Sequence, residues 1–457
     1  MSDAHGYGIP VWQAPESAGH RAPASGIRRC HTAIVGAGLT GLSIALRLAE
    51  QDREHDVVVL EADRVAGGAS GRGTGLVGPR VGPPLPSARK RYGDDTARAL
   101  YRWSERAVDH VLAVCARHRI DCGLTPGSQL MVARDRHSMV TVARELEAAA
   151  ALGIDLTAVA ADSVPDQAGR CLGGLRYAPT ATLDPAAFTR QLATTAERLG
   201  ATIYEKCAVR RVDRGTRLVT DTGEIVADRV VLAVNGTSAG AAFRTGVIGM
   251  RVQAAATVPL TPRQLADLDW LRHQPLIEMG ELAPYYRLTT DDRLIIGGGC
   301  VRRGAADSAP LDPTYLQAAA GLLHPSLKDI PLAYAWSGPI GMTLDALPVI
   351  GVQRNGTLVA GGWRGHGVAA STYAGTLLAD YLLDSEKVGS TIDHAFPIPR
   401  GRARTLPSVR PVLGLLDAYL SRLERGAARS LGRRRSGDSS TPKTAVPAAS
   451  TQGDENP

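Results

Sequence analysis

A chain of 457 residues, 44% of them hydrophobic, can bury a large core and exceeds the usual size of one compact domain, so two domains with tails are expected. No apolar run approaches membrane-spanning length, and Cys30, Cys115, Cys122, Cys171, Cys207 and Cys300 form no CxxC or metal-ligand cluster, which excludes a spanning helix and a cysteine metal centre. The formal charge of +7, with pI near 9.2, would permit contact with nucleic acid or an anionic membrane, but the basic residues gather near the C-terminus.

Residues 1–27 hold Pro, Gly, Ser and His without a continuous apolar segment and read as an N-terminal arm of a cytoplasmic protein. From Thr32 to Ala62 the chain reads TAIVGAGLTGLSIALRLAEQDREHDVVVLEA, an apolar run, a GxGxxG turn, an amphipathic run and a second apolar run closed by Glu61. That order predicts a strand, helix and strand with a dinucleotide at the turn. Gly36 permits the tight exit from the strand, Gly38 lets the backbone approach a pyrophosphate, and Gly41 lets the helix pack on the sheet. Glu61, twenty residues beyond Gly41, can accept ribose hydroxyls and would repel a 2'-phosphate.

Apolar spacing predicts helices over about 96–118 and 140–152, a first insertion outside the nucleotide domain. Asp184 as N-cap, Pro185 at the first helical position and Gly200 beyond the end bracket another helix. Short strands follow, closing in the fully apolar VVLAVNG, Val230 to Gly236, as in a strand covered on both faces. From about Gly246 to Ala335, β-rich pieces flank a helical stretch near Leu316 and suggest an antiparallel substrate domain, after which a last strand and helix complete the nucleotide domain.

The expected division is an arm at 1–27; a discontinuous nucleotide domain at 28–95, 170–245 and 335–395; and a substrate domain at 96–169 and 246–334. A basic amphipathic tail at 396–435 carries an apolar stripe from Val412 to Leu431 for docking on its own protein or, less well, on a membrane surface, and 436–457 reads as disordered.

These motifs resemble the FAD-dependent D-amino-acid oxidase superfamily from about Ile27 to Asp384. The resemblance rests on GAGLTG with Glu61, GGASGR at Gly67 to Arg72, VVLAVNG, TLDALPVIG at Thr343 to Gly351, and GGWRGHG at Gly361 to Gly367. It implies an α/β fold, with a Rossmann-like FAD-binding domain around a central parallel sheet and an α+β substrate domain with an antiparallel sheet. It implies FAD held by Gly36, Ala37, Gly38, Leu39, Thr40 and Gly41, with Glu61 and Ala62 at the adenosine end and Val209 meeting the adenine through its backbone. Ala69, Ser70, Gly71, Arg72 and Gly73 would lie beside phosphates and flavin; Asn235, Gly236, Gly362, Gly365, His366, Gly367 and Val368 would complete the site. Backbone N–H groups near Ser70 and at the helix opening from Gly365 suit anionic groups.

By the same resemblance, hydride passes from the carbon next to an amine nitrogen to flavin N5, and the imine is then hydrolysed. O2 or a separate electron carrier would take the electrons onward. An Arg that grips a carboxylate in glycine-oxidase-like members is Ile340 here, and the Cys that links flavin in sarcosine-oxidase-like members is Gly338, so noncovalent FAD and a small amine substrate are expected. The wording WSGPIGMTLDALP sits nearer the gamma-glutamylputrescine oxidoreductase branch. An amino-acid oxidase or dehydrogenase, or a non-catalytic FAD-binding subunit, are the alternatives; no nucleic-acid partner and no metal are expected.

Four substrate-side candidates stand out. Tyr285 and Arg287 share one face of a strand, with Arg287 a substitute carboxylate clamp and Tyr286 on the other face. Trp363 would wall the flavin pocket or serve the core, and His366 would tune charge near neutral pH or act only through its N–H. Arg72 and Arg80 would meet phosphate or substrate, or solvent.

Overall fold

The unit read between Thr32 and Ala62 forms β1 (Gly26–Val35), α1 (Leu39–Gln51) and β2 (Val57–Leu60), with Thr32 opposite Val57 in a parallel pairing. In this computed structural model residues 8–13, 21–165, 170–236, 243, 245–280, 283–301, 311, 313–383 and 396 are described. All of Val57, Val58, Val59 and Leu60 are buried, which is why β2 is wholly apolar instead of alternating.

Next come α2 (Ala69–Arg72), β3 (Leu76–Val77), α3 (Leu85–Tyr92) and α4 (Asp94–His118). The buried stripe of α4 includes Leu100, Trp103, Ala107, Val111 and Val114, the helical spacing expected from sequence. β4 (Thr125–Ala133) leads to α5 (Arg136–Leu152), which starts before the expected position 140 because Asp135 accepts the Ser138 N–H as an N-cap. β5 (Thr157–Val159) and β6 (Gly173–Thr182) follow, then α6 (Pro185–Arg198), where Asp184 accepts from the N–H groups of Ala186 and Ala187.

β7 (Thr202–Tyr204), β8 (Arg211–Asp213), β9 (Arg217–Val219) and β10 (Gly223–Leu232) return the chain to the first sheet. Then β11 (Ile248–Pro259), α7 (Pro262–Leu268), β12 (Leu276–Glu278), β13 (Tyr285–Leu288), β14 (Arg293–Val301), α8 (Thr314–Leu323) and β15 (Leu332–Met342) build the second. β16 (Val349–Val352), β17 (Leu358–Gly361) and α9 (Gly367–Leu383) close the first.

The first sheet has the order β16-β17-β10-β1-β2-β7, with β9 on β10 and β8 on β9; β17, β10, β1, β2 and β7 run parallel. Its switch point lies at the end of β1, where α1 begins, the place a Rossmann-like sheet uses for a dinucleotide. The second sheet has the order β15-β11-β14-β13-β12-β4-β6-β3, with β5 on β6, and only β12 and β4 pair in parallel. β3, β6 and β15 from residue 335 onward, expected in the nucleotide domain, thus belong to the substrate sheet. Each is local to nucleotide-domain sequence, but backbone pairing is decided by partners distant in the chain.

The substrate sheet has two different faces. Tyr286, Leu288, Leu294 and Ile296 pack under α8 with Leu316 and Ala319, forming that domain's core. Ala254, Ala256, Ile295 and Trp336 instead join the core cluster that holds α1, α4, α9 and Trp12. The expected basic helix around 412–431 and the disorder at 436–457 fall outside the described residues. Phe396 is buried edge-on against Trp103, ring centroids 5.4 Å apart. Among the described residues no helix is long and apolar enough to cross a membrane.

Candidate active site

At the end of β1 the chain turns at Gly36, whose φ of +105° an L side chain rarely adopts. A Cβ on Gly41 would lie 2.0 Å from the Gly36 carbonyl oxygen, so α1 seats against its own turn only because position 41 is bare. Gly38, extended, is the helix N-cap and brings no capping side chain, while a Cβ there would stand 2.9 Å from Ser70 Oγ. Ala37, Leu39 and Thr40 complete this turn, and the Leu39 N–H donates to Ser70 Oγ at 2.9 Å. Beyond the backbone role expected of Ser70, its hydroxyl caps α1.

Glu61 stands beside the same turn. Its Oε2 accepts the Ala37 N–H at 2.9 Å and its Oε1 the Asp63 N–H at 3.0 Å, while burial pushes its carboxyl above the ordinary value against the pull of those donors. Each oxygen retains a lone pair for a further donor. The loop after β7 runs alongside, with the Cys207 N–H on the Glu61 carbonyl and the Lys206 N–H on that of Asp63. Val209 lies farther along this loop, half-buried, and Ala62 is exposed.

The second glycine turn runs from Ala66 through α2 to Gly73. A Cβ on Gly71 would fall 2.0 Å from the Ala66 carbonyl oxygen. Arg72 departs from expectation: its Nε donates to Gly67 O at 3.0 Å, and its Nη1 donates to Ser337 O at 2.9 Å and Gly8 O at 3.2 Å. Bound to main-chain carbonyls from three segments, its side chain is a brace between the turn, β15 and the N-terminal arm instead of a phosphate ligand or a solvated charge. Arg80 Nη1 lies 3.9 Å from Met131 Sδ, against the substrate sheet.

The third element is the loop between β17 and α9. Asn235, at the end of β10 with φ +43°, accepts the Gly362 N–H on Oδ1 at 2.9 Å, and a Cβ on Gly236 would meet Ile340 O at 2.7 Å. Gly365 takes φ +83° with nothing among the described residues within 4 Å of where its Cβ would be. Val368 is half-buried in the first turn of α9 beyond Gly367.

His366 corrects the expectation made for it. Burial first, then the charges of Arg80 and Arg364, push its imidazole down to about 3, so it stays neutral instead of titrating near neutral pH. Its backbone N–H donates to Trp363 O at 3.0 Å. Trp363 is 6% exposed, and its Nε1 is buried with no partner among the described residues. A buried indole N–H left unpaired is costly, so an acceptor on a bound group would satisfy it.

On the substrate side the strand alternates as its sequence suggests. Tyr286 is fully buried in the domain core, its hydroxyl donating to Ala319 O at 3.2 Å. Tyr285 takes the opposite face: its ring lies across Gly297, where a Cβ would be 2.0 Å from Tyr285 Cζ, and the Thr74 side chain near its phenol favours the ionised form against the larger effect of burial. Burial pushes that phenol up, so it remains protonated. Arg287, 4% exposed, has a buried Nε with no partner among the described residues. Burial pulls its guanidinium down to about 10, with Asp184 and Asp291 opposing, so it is charged at neutral pH.

Arg287 lines a cavity of about 410 Å³ with Trp12, Asp184, Arg190, Thr289 and Asp291. Gly338, the position compared with a flavin-linking Cys, faces the Arg72 side chain, and Ile340 lies two residues on in β15. Trp12 and Thr74 were not anticipated. The apolar island Ile9 to Trp12 in a polar arm was the available signal for the first; nothing local marked the second.

The bare positions 36, 38 and 41, the acceptor pair of Glu61 and the orphaned Trp363 Nε1 together fit an extended dinucleotide with a polar ring system at one end. Comparison with known proteins agrees with this fit. The family described as FAD dependent oxidoreductase matches residues 31–381. Gamma-glutamylputrescine oxidoreductase of Escherichia coli (strain K12) is 30% identical over 396 residues, 83% of this chain and 90% of that protein. The probable oxidoreductase OrdL of Rhizobium meliloti (strain 1021) is 28% identical over 375 residues, 78% of this chain and 84% of that one. Glycine oxidase from Geobacillus kaustophilus superposes with a TM-score of 0.65 over 82% of this chain and 99% of that chain at 22% identity, a likeness of fold.

Proposed function

This chain belongs to the FAD-dependent oxidoreductase family, and from that premise we propose that it oxidises the C–N bond of a small amine whose imine product is hydrolysed by water. The 30% identity to gamma-glutamylputrescine oxidoreductase, a protein named for an amine substrate, supports the substrate class. The observation that carries the reading is the hydrogen bond that Trp336 Nε1 donates to Arg72 O at 2.9 Å, because it sets a side chain of the substrate sheet against the glycine turn assigned to the cofactor. FAD, when bound, supplies a two-electron acceptor for the carbon next to the amine nitrogen.

In this reading Gly36 to Gly41, Glu61, Ser70, Gly71 and Gly73 hold the dinucleotide without a covalent link, since Gly338 offers no thiol. Asn235, Gly236 and the Gly362 to Val368 loop bound the ring end, and the α9 N-terminus contributes a partial positive charge there while His366 stays neutral. Tyr285 and Arg287 orient the substrate, and holding reacting atoms in line is the main service required of the protein.

A second reading, an amino-acid substrate, is favoured by Arg287. A buried cation that lines a cavity, its Nε without a partner among the described residues, is suited to a carboxylate. Anaerobic mixing of the yellow holoenzyme with polyamines, N-methyl amines and D-amino acids tests both, read as loss of flavin absorbance. Bleaching by amines supports the first reading and bleaching only by amino acids the second. No bleaching by any of them points to a non-catalytic FAD-binding subunit.

A further inference from the structure

The short arm segment 8–13 is fastened at several points to the elements around the site. The Gly8 N–H donates to Ala335 O on β15 at 2.7 Å, and Gly8 O accepts from Arg72. Gln13 Nε2 donates to Ala66 O at 3.3 Å, and Gln13 Oε1 accepts from Arg64 Nη2 at 2.8 Å. Between them Trp12, 9% exposed, donates from Nε1 to Gly73 O at 2.9 Å, and its ring centroid lies 5.0 Å from the Arg287 guanidinium carbon. One side chain thus touches both the glycine turn and the cation of the substrate sheet.

We propose that Trp12 is a positioning residue that joins the two halves of the active site, its indole N–H steadying the cofactor turn and its ring holding Arg287 poised toward a carboxylate on the substrate. The Arg287 half rests on the reading of that residue as a substrate clamp. A guanidinium stacked on an aromatic face keeps its edge N–H groups available and gains a partner that neutralises no charge. Asp184 and Asp291 line the same cavity, so with the indole removed Arg287 can swing to a carboxylate of its own chain and lose its readiness for another. The Gly73 carbonyl, freed at the same time, loosens the turn that follows α2.

Two substitutions separate these effects. Trp12→Phe keeps a ring under Arg287 and removes the N–H; Trp12→Leu removes both, and Trp12→Met replaces it should the leucine variant not fold. FAD release is followed as the rise of free-flavin fluorescence on dilution of holoenzyme, and carboxylate binding as the flavin absorbance change on titration with propionate. Trp12→Phe should release FAD about fivefold faster, the scale of one hydrogen bond, with propionate binding within about twofold of the parent. Trp12→Leu should do the same and also bind propionate about tenfold more weakly, within the range of a buried cation–π contact. Parental FAD release and propionate affinity in Trp12→Leu or Trp12→Met would overturn the proposal. If propionate leaves the spectrum of the parent enzyme unchanged, the clamp reading of Arg287 and this half of the proposal fall together, and the FAD-release comparison still decides the other half.

Discussion

The hydroxyl of Ser70 accepts the N–H of Leu39 at 2.9 Å, so one side chain from the second glycine turn caps the helix that leaves the first. Gly38 supplies no cap of its own, and the two glycine turns are therefore registered to each other before any ligand arrives. Ser70→Ala should cost about 1 kcal/mol of stability, the usual loss with a capping oxygen, and should weaken FAD affinity as well. Thermal unfolding of the apoprotein and flavin fluorescence titration measure the two separately; an unchanged Tm would show that the bond contributes nothing to the fold.

Gly41 has no room for even a methyl group. With a Cβ placed 2.0 Å from the Gly36 carbonyl oxygen, Gly41→Ala must push α1 away from its turn. A destabilisation of at least ~1–3 kcal/mol and loss of the yellow colour are expected. Retention of full FAD content would mean that the helix can shift without cost to the site.

Arg287→Met should raise KM more for carboxylate-bearing amines than for neutral ones, by about 10- to 100-fold in the ratio, because a charge-assisted hydrogen bond contributes about 1.5–3 kcal/mol. Steady-state kinetics on matched pairs of substrates give that ratio directly. Equal effects on both classes would remove Arg287 from carboxylate recognition.

Acid should destabilise the folded protein through two histidines. Burial, assisted by Arg117 and Arg47, pushes His110 down to about 4, where Thr376 Oγ1 lies 2.9 Å from its Nε2; His366 is pushed down to about 3. Above an unfolded-state value of about 6.5 both are neutral in folded and unfolded chains and contribute no pH dependence. Below it the unfolded chain takes up protons that the folded chain does not, so stability falls as pH drops toward those folded values, by at most about 1.4 kcal/mol per pH unit for each residue. Urea unfolding of the parent and of His110→Asn between pH 7 and 4.5 should show a shallower decline in the variant.

Acid precipitation tests the mode of FAD attachment. With Gly338 facing Arg72 and no thiol in its place, the flavin should stay in the supernatant and the pellet should be colourless. A yellow pellet would require a covalent link elsewhere.

The parts that were legible in advance are those whose physical cause is local. The helical stripe of α4, the Asp184 and Pro185 start of α6, the wholly apolar β2 and the alternation of Tyr285, Tyr286 and Arg287 each follow from spacing along a few turns or a single strand. The bare turn at Gly36, Gly38 and Gly41 is of the same kind, since a missing Cβ is a local property. The start of α5 at Arg136 was legible too, through Asp135, but apolar periodicity alone placed it late.

What tertiary structure alone decided are the relationships between segments far apart in the chain. The Gly8 and Ser337 carbonyls that Arg72 binds, the assignment of β3, β6 and β15 to the substrate sheet, the neutral state of His366 beside Arg80 and the seat of Trp12 between Gly73 and Arg287 all involve partners distant in sequence. Residue type says that an arginine needs acceptors or that a histidine can titrate; only burial and the identity of neighbours select which acceptor and which protonation state. The amino-acid sequence by itself determined a dinucleotide-binding unit with a second sheet, because turn geometry and periodicity are written within short windows. The docking of that sheet onto the glycine turns, and with it the shape of the cavity, was settled by long-range packing.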